Sequence, residues 1–179
     1  MGSEKPPSVQ QAFCELAPNL VFYARQWVEL ETAEDCVQDV FVRLMLQRRW
    51  PRRLKPWLYK SVRNQALCAL RSTARRRRRV ASASVHSAKW FHWDEKALID
   101  ADAVQGAMSR LSEQTREVLV LRIWAELTFE EISGVIGVSE TAAFRRFRSG
   151  LAQIKDAMQA QSAHQIVTTT NRRRIGNPG

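Results

Sequence analysis

The sequence predicts an all-α protein of two small helical domains joined by a flexible linker, the C-terminal domain containing a helix-turn-helix. Three observations carry that expectation. Nearly every segment with a period repeats its apolar residues at steps of three and four, the spacing of an amphipathic helix. The period is lost across residues 80 to 97, "VASASVHSAKWFHWDEKA", which begin small and polar. Charge is partitioned as well: from Arg43 to Arg79 there are 14 Lys or Arg and no Asp or Glu, whereas residues 1 to 42 hold two basic and seven acidic side chains. The expected organisation is an N-terminal domain over 1–78, a linker over 79–98, a C-terminal domain over 99–158 and a disordered tail over 159–179.

The first helix is expected around Phe13, Leu16, Leu20, Ala24 and Trp27, with Pro18 implying a kink or a break near its start. The second covers residues 33 to 45, where Ala33, Cys36, Val37, Val40, Phe41, Leu44 and Met45 share a face. Thr32 is placed to cap it, and Asp35 sits at the positive end of the helix dipole. A third begins at Pro56, a residue suited to a first turn, with Leu58, Val62, Ala66, Ala69 and Leu70 as its buried stripe. Three such helices bury one another in a small bundle. The isolated aromatics Trp90, Phe91 and Trp93 are expected to dock the linker back onto a domain, the alternative being a patch that binds a partner.

Helical pattern returns after the linker, and residues 128 to 154 are its informative part. Thr128 with Glu131 makes a capping box, Phe129, Ile132 and Ile136 give a short apolar face, and Gly137 suits the left-handed conformation of a sharp turn. Ser139 caps the next helix, whose buried side is Ala143, Phe147, Leu151 and Ile154. This is a helix-turn-helix layout, whose second helix enters the DNA major groove with its N-terminal residues.

Composition excludes several function classes. The net charge of +10 sits mostly in one segment, ending in five consecutive arginines, Arg75 to Arg79. Such clustered charge persists if it is solvated, as at a helix end leading into a linker, or if it meets a polyanion, and nucleic acid rewards it by releasing condensed counterions. A membrane surface would call for an apolar span or a lipidation signal, and "GSEKPP" lacks the Ser or Thr of the myristoylation pattern. "MGSEKPPSVQQ" has no apolar signal-peptide region, so the cytoplasm is the expected compartment. Cys14, Cys36 and Cys68 form no CxxC and read as small hydrophobes; with His86, His92 and His164 they show no ligand spacing, so neither metal nor cofactor is expected.

The order of these parts resembles the extracytoplasmic-function sigma factors, the smallest two-domain promoter-specificity subunits of bacterial RNA polymerase. "AEDCVQDVFVRL" (33–44) is similar to the family's polymerase-binding helix, "PWLYKSVRNQALCALR" (56–71) to its helix for the −10 element, and "LSEQTREVLVLRIWAELTFEEISGVIGVS" (111–139) to the start of the domain that reads the −35 element. The resemblance implies that Asp35, Gln38 and Asp39 meet the clamp helices of the polymerase's largest subunit. It places Trp50, Lys60, Arg63, Asn64, Arg71, Arg75 and Arg76 on the −10 element, with Trp50 as a stacking surface for an unstacked base and the arginines on phosphates. On the −35 element it places Ser139, Glu140, Thr141, Phe144, Arg145, Arg146 and Arg148. The recognition helix departs from the family's usual Ser, any residue, Gly-Thr-Val-Lys-Ser-Arg, since Thr141, Ala142, Ala143, Phe144 and Arg145 replace its central residues. Core polymerase, double- and single-stranded promoter DNA and an anti-sigma protein are the partners implied. Two rivals are an autonomous helix-turn-helix regulator, against which the acidic face over 35–39 speaks, and a nucleic-acid enzyme, which would need a carboxylate cluster or metal site near a segment that has no acid.

Overall fold

The computed structural model describes residues 8–79 and 101–175. They form seven helices and no strand: α1 Val9–Ala24, α2 Leu30–Met45, α3 Leu54–Arg79, α4 Ala101–Arg110, α5 Glu113–Ile123, α6 Phe129–Ile136 and α7 Glu140–Ile175. The stretch over 80–100, with Trp90, Phe91 and Trp93, lies outside the described residues.

Helix α1 starts at a capping box in which Ser8 and Gln11 exchange side-chain-to-backbone hydrogen bonds. Of the kink or break expected at Pro18, the break does not occur: α1 runs through this residue to Ala24. The proline removes one donor, but Leu16, Ala17 and Leu20 beside it are buried, so packing outweighs the lost bond. Helix α2 begins earlier than its pattern suggested. The Ala33 N–H donates to the Glu29 carbonyl at 2.9 Å, which puts Thr32 inside the first turn and makes Glu29 the cap. Glu31 then supplies the negative charge that the helix start favours.

Leu20, Tyr23, Val37, Val40, Leu44, Leu58, Tyr59 and Val62 are each 1% exposed or less, so α1, α2 and α3 bury one another as a three-helix bundle. Leu70 is the exception in the expected stripe, at 41% exposure. In the second half α4, α5 and α6 all pack on α7. Five consecutive residues of α5, Glu117 to Leu121, are buried. A helix covered all round lies in the middle of a fold, and α5 is sandwiched between α7 and α1. A Cβ added at Gly150 would lie 2.8 Å from both Leu119 Cδ1 and Thr115 Cγ2, so this glycine is what lets α7 approach α5 so closely. With Ala143 and Gly150 on the inner face, Leu151 turns outward to 42% exposure, where the pattern had buried it.

One apolar core therefore runs through both halves, joined by packing of α3 on α6 and of α1 on α5. Helix α7 also outruns the expected end at residue 158: it continues to Ile175, where a disordered tail was expected. No Gly or Pro interrupts the chain between Leu151 and Ile175, and the next such residue is Gly176.

Candidate nucleic-acid interface

Three surfaces carry the residues singled out in the sequence. On α2, Asp35, Gln38 and Asp39 are exposed while Cys36, Val37 and Val40 between them are buried. The 3.6-residue period thus turns both carboxylates, one turn apart, into solvent. Gln65 of α3 donates to Asp39 Oδ2 at 3.0 Å and accepts from Arg43 at 2.8 Å, tying this acidic face to the neighbouring helix. Beside it an apolar groove of about 320 Å³ opens between α1 and α2, lined by Phe13, Pro18, Val21, Val37, Glu34 and Gln38.

On α3 the exposed side chains include Lys60, Asn64, Arg71 and Arg75, with Lys60 and Asn64 one turn apart. The five arginines close the helix at Arg79; the side chain of Arg76 is outside the described residues. Trp50, in the loop before α3, packs part of its ring against the core and leaves the rest accessible.

Arg63 is placed differently. Its Nε donates to Glu117 Oε1 at 2.6 Å and its Nη2 to Oε2 at 3.4 Å, and the Tyr23 hydroxyl donates to the same carboxylate at 2.7 Å. Glu117 is only 2% exposed. Burial lowers the affinity of the Arg63 guanidinium for its proton, but the hydrogen bond and charge of Glu117 outweigh this and hold its pKa above the ordinary value. Burial, and then the charge of Glu117, push the Tyr23 phenol well above its usual range, so it stays protonated and can donate. Sequence reasoning missed Tyr23, Glu113 and Glu117; the one available signal was a pair of acids a turn apart, Glu113 and Glu117, in "EQTREVLVLRI".

The third surface is the helix-turn-helix. Thr128 and Glu131 form the expected capping box, with Thr128 N–H donating to Glu131 Oε2 at 2.9 Å and Glu131 N–H to Thr128 Oγ1 at 3.2 Å. Gly137 ends α6 at φ 76°, in the left-handed region where glycine carries no steric penalty. Ser139 Oγ accepts from Ala142 N–H at 3.2 Å and starts α7. Phe129 packs edge-on against Phe144 and Phe147 at centroid distances of 5.3 and 5.5 Å, fixing α6 on α7. Ser139, Glu140, Thr141, Phe144, Arg145 and Arg148 are exposed and Arg146 is half-buried, so the start of α7 presents a polar, basic side.

Comparison with known proteins resolves what this arrangement is. Residues 13–76 match the family model "Sigma-70 region 2" and residues 101–154 match "Sigma-70, region 4". The chain belongs to the sigma-70 family. The two regions are separated only by residues 77–100, and this is a sigma factor of the extracytoplasmic-function type. Among curated proteins, no sequence matches the chain. Among solved structures, the fold is similar to the sigma factor RpoE in complex with the anti-sigma factor NepR from Bartonella quintana, at TM-score 0.70 and 20% identity over 84% of this chain and 96% of that one. It is also similar to CnrH in complex with the cytosolic domain of CnrY, at TM-score 0.59 and 21% identity over 88% and 92% of the two chains. As a sigma factor the chain binds core RNA polymerase and promoter DNA and acts in transcription initiation. Sigma factors are DNA-recognition regulators, and among the described residues no helix is long and apolar enough to cross a membrane.

Proposed function

We propose that this sigma factor divides its work among the three surfaces. Asp35, Gln38 and Asp39 bind the clamp helices of the polymerase's largest subunit. Trp50, Lys60, Arg63, Asn64, Arg71, Arg75 and Arg76 hold the −10 element. Ser139, Glu140, Thr141, Phe144, Arg145, Arg146 and Arg148 read the −35 element. The N-terminal unit over 1–78 thus carries two of these tasks and the unit over 99–158 the third, in a cytoplasmic protein that is not itself an enzyme.

One observation carries the reading: opposite charges occupy neighbouring helices of one bundle. The exposed carboxylates of α2 suit a protein partner and repel DNA, while the acid-free segment from Arg43 to Arg79 suits phosphates. Single-stranded DNA needs aromatic platforms within basic surroundings, and Trp50, seated on the core beside Arg48, Arg49 and Arg52, offers one. Because both similar structures are complexes with partner proteins, one named as an anti-sigma factor, such an inhibitor is a candidate partner of this chain too.

Either DNA contact alone is weak. Tight, sequence-specific promoter binding is expected only when core polymerase fixes both contacts and raises the effective concentration of the second. A gel shift at physiological salt should therefore show a specific complex for core plus chain and only diffuse, salt-sensitive binding for the chain by itself. Tight specific binding by the isolated chain would favour the autonomous regulator instead.

A further inference from the structure

The start of α7 carries one apolar ring on a stripe that is otherwise polar and basic. Thr141, Phe144, Arg145 and Arg148 recur at steps of three and four and are exposed, while Ala143 and Phe147 pack against the core. Phe144 is 46% exposed. It meets Phe129 of α6 edge-on at 5.3 Å, but the half-buried Phe147 meets the same ring at 5.5 Å, so bracing α6 on α7 does not require a second ring at the surface.

The surroundings hold this ring in place. Phe129, on which it rests, is itself held by Arg122, whose guanidinium lies 5.1 Å over the ring centroid and whose Nη1 donates to the Leu127 carbonyl at 2.8 Å. A phenylalanine has only two side-chain torsions, so a ring seated on such a platform presents apolar surface at little further cost in entropy. It carries neither charge nor hydrogen-bonding group. It therefore cannot neutralise a phosphate or join the donor and acceptor pattern of a base edge, and the apolar group that bases offer in the major groove is the C5 methyl of thymine.

We propose that Phe144 selects a thymine in the −35 element through its C5 methyl group, at a position where the family pattern has lysine. The proposal rests on the reading that the start of α7 enters the major groove there, and it names the base that one side chain chooses. Arg145 and Arg148 on the same stripe supply the charge that phosphates require, which leaves the uncharged ring to discriminate. Bringing ring and methyl group together removes both from water. A base without that methyl group leaves the ring against a gap or a polar edge.

The test uses holoenzyme assembled from core polymerase and the full chain. Duplexes with a randomised −35 region are selected for binding, and the selected element is then remade with deoxyuridine in place of each thymine in turn, which deletes only the methyl group. Wild-type holoenzyme is expected to lose about fourfold in affinity at one thymine, the factor for one buried methyl group. Phe144→Ala should abolish that loss at that position, and Phe144→Leu, which keeps an apolar side chain on Phe129, should retain most of it. A merely structural role would weaken binding to the thymine and deoxyuridine duplexes alike and leave their ratio at the wild-type value, which overturns the proposal. So does a selected element in which no thymine methyl matters. Arg145→Ala separates this failure from that of the underlying reading. If it changes the selected −35 sequence while the Phe144 variants leave the ratio untouched, the methyl contact is refuted and α7 still reads the −35 element. If neither Arg145→Ala nor Phe144→Ala changes the selected sequence, α7 does not read that element and both ideas fall.

Discussion

Reversing Asp35 and Asp39 to lysine is expected to abolish capture of core polymerase. Both carboxylates are exposed on one face of α2, and no neighbouring apolar residue would be disturbed by the change. Placing two cations where a partner expects anions costs several kcal/mol, and about 3 kcal/mol is already roughly a hundredfold in affinity. The fold should be little affected, because exposed substitutions usually stay within about 0.5 kcal/mol. The Asp39→Lys change removes the acceptor for Gln65 and sets a second cation one turn from Arg43, a like-charge pair that costs only a few tenths of a kcal/mol. Co-purification with core should disappear while the helical circular-dichroism signal is retained. Undiminished capture by a folded variant would remove α2 from the polymerase interface.

The second large effect separates charge from base recognition along α3. Replacing Arg71, Arg75 and Arg76 by Gln should weaken holoenzyme binding about equally on all promoters. Three lost phosphate contacts should flatten the logarithmic salt slope by up to about 2.7, at about 0.9 per contact. Trp50→Ala or Asn64→Ala should leave that slope nearly unchanged and lower open-complex formation. A lost stacking contact of about 1–3 kcal/mol corresponds to roughly 5- to 150-fold. The loss should shrink on a template whose −10 element is already mismatched and open, since the bases there need no energy to unstack. A changed base preference in the arginine variant, or normal melting of duplex promoters by both alanine variants, would contradict this division.

How much of this was legible in the sequence follows from the range of each interaction. The capping box of Thr128 and Glu131, the left-handed Gly137 and the Ser139 cap are made within a few residues, so the pattern alone located them. The exposure of Asp35, Gln38 and Asp39 followed from helical period for the same reason. Local rules failed where packing competed with them. Pro18 breaks an isolated helix, yet the bundle holds α1 together, and Thr32 is a good cap that lies inside a helix extended by Leu30 and Glu31. The contacts between the two halves were the least legible. Arg63 and Glu117 are 54 residues apart and Tyr23 and Glu117 are 94 apart. No period links them, so Arg63 read as one more cation in a basic run and nothing singled out Glu117. Charge counting marked out a basic surface and left the internal partner of Arg63 unseen.

The central claim is that the chain directs core polymerase to open a promoter. Permanganate reactivity of thymines in the −10 region of a duplex promoter tests it most directly, with core alone, the chain alone and both together. The account predicts reactive thymines only in the presence of both, and their loss in the Asp35→Lys/Asp39→Lys variant. Reactivity that needs no core, or a promoter that stays unreactive when core and chain are both bound to it, would contradict it.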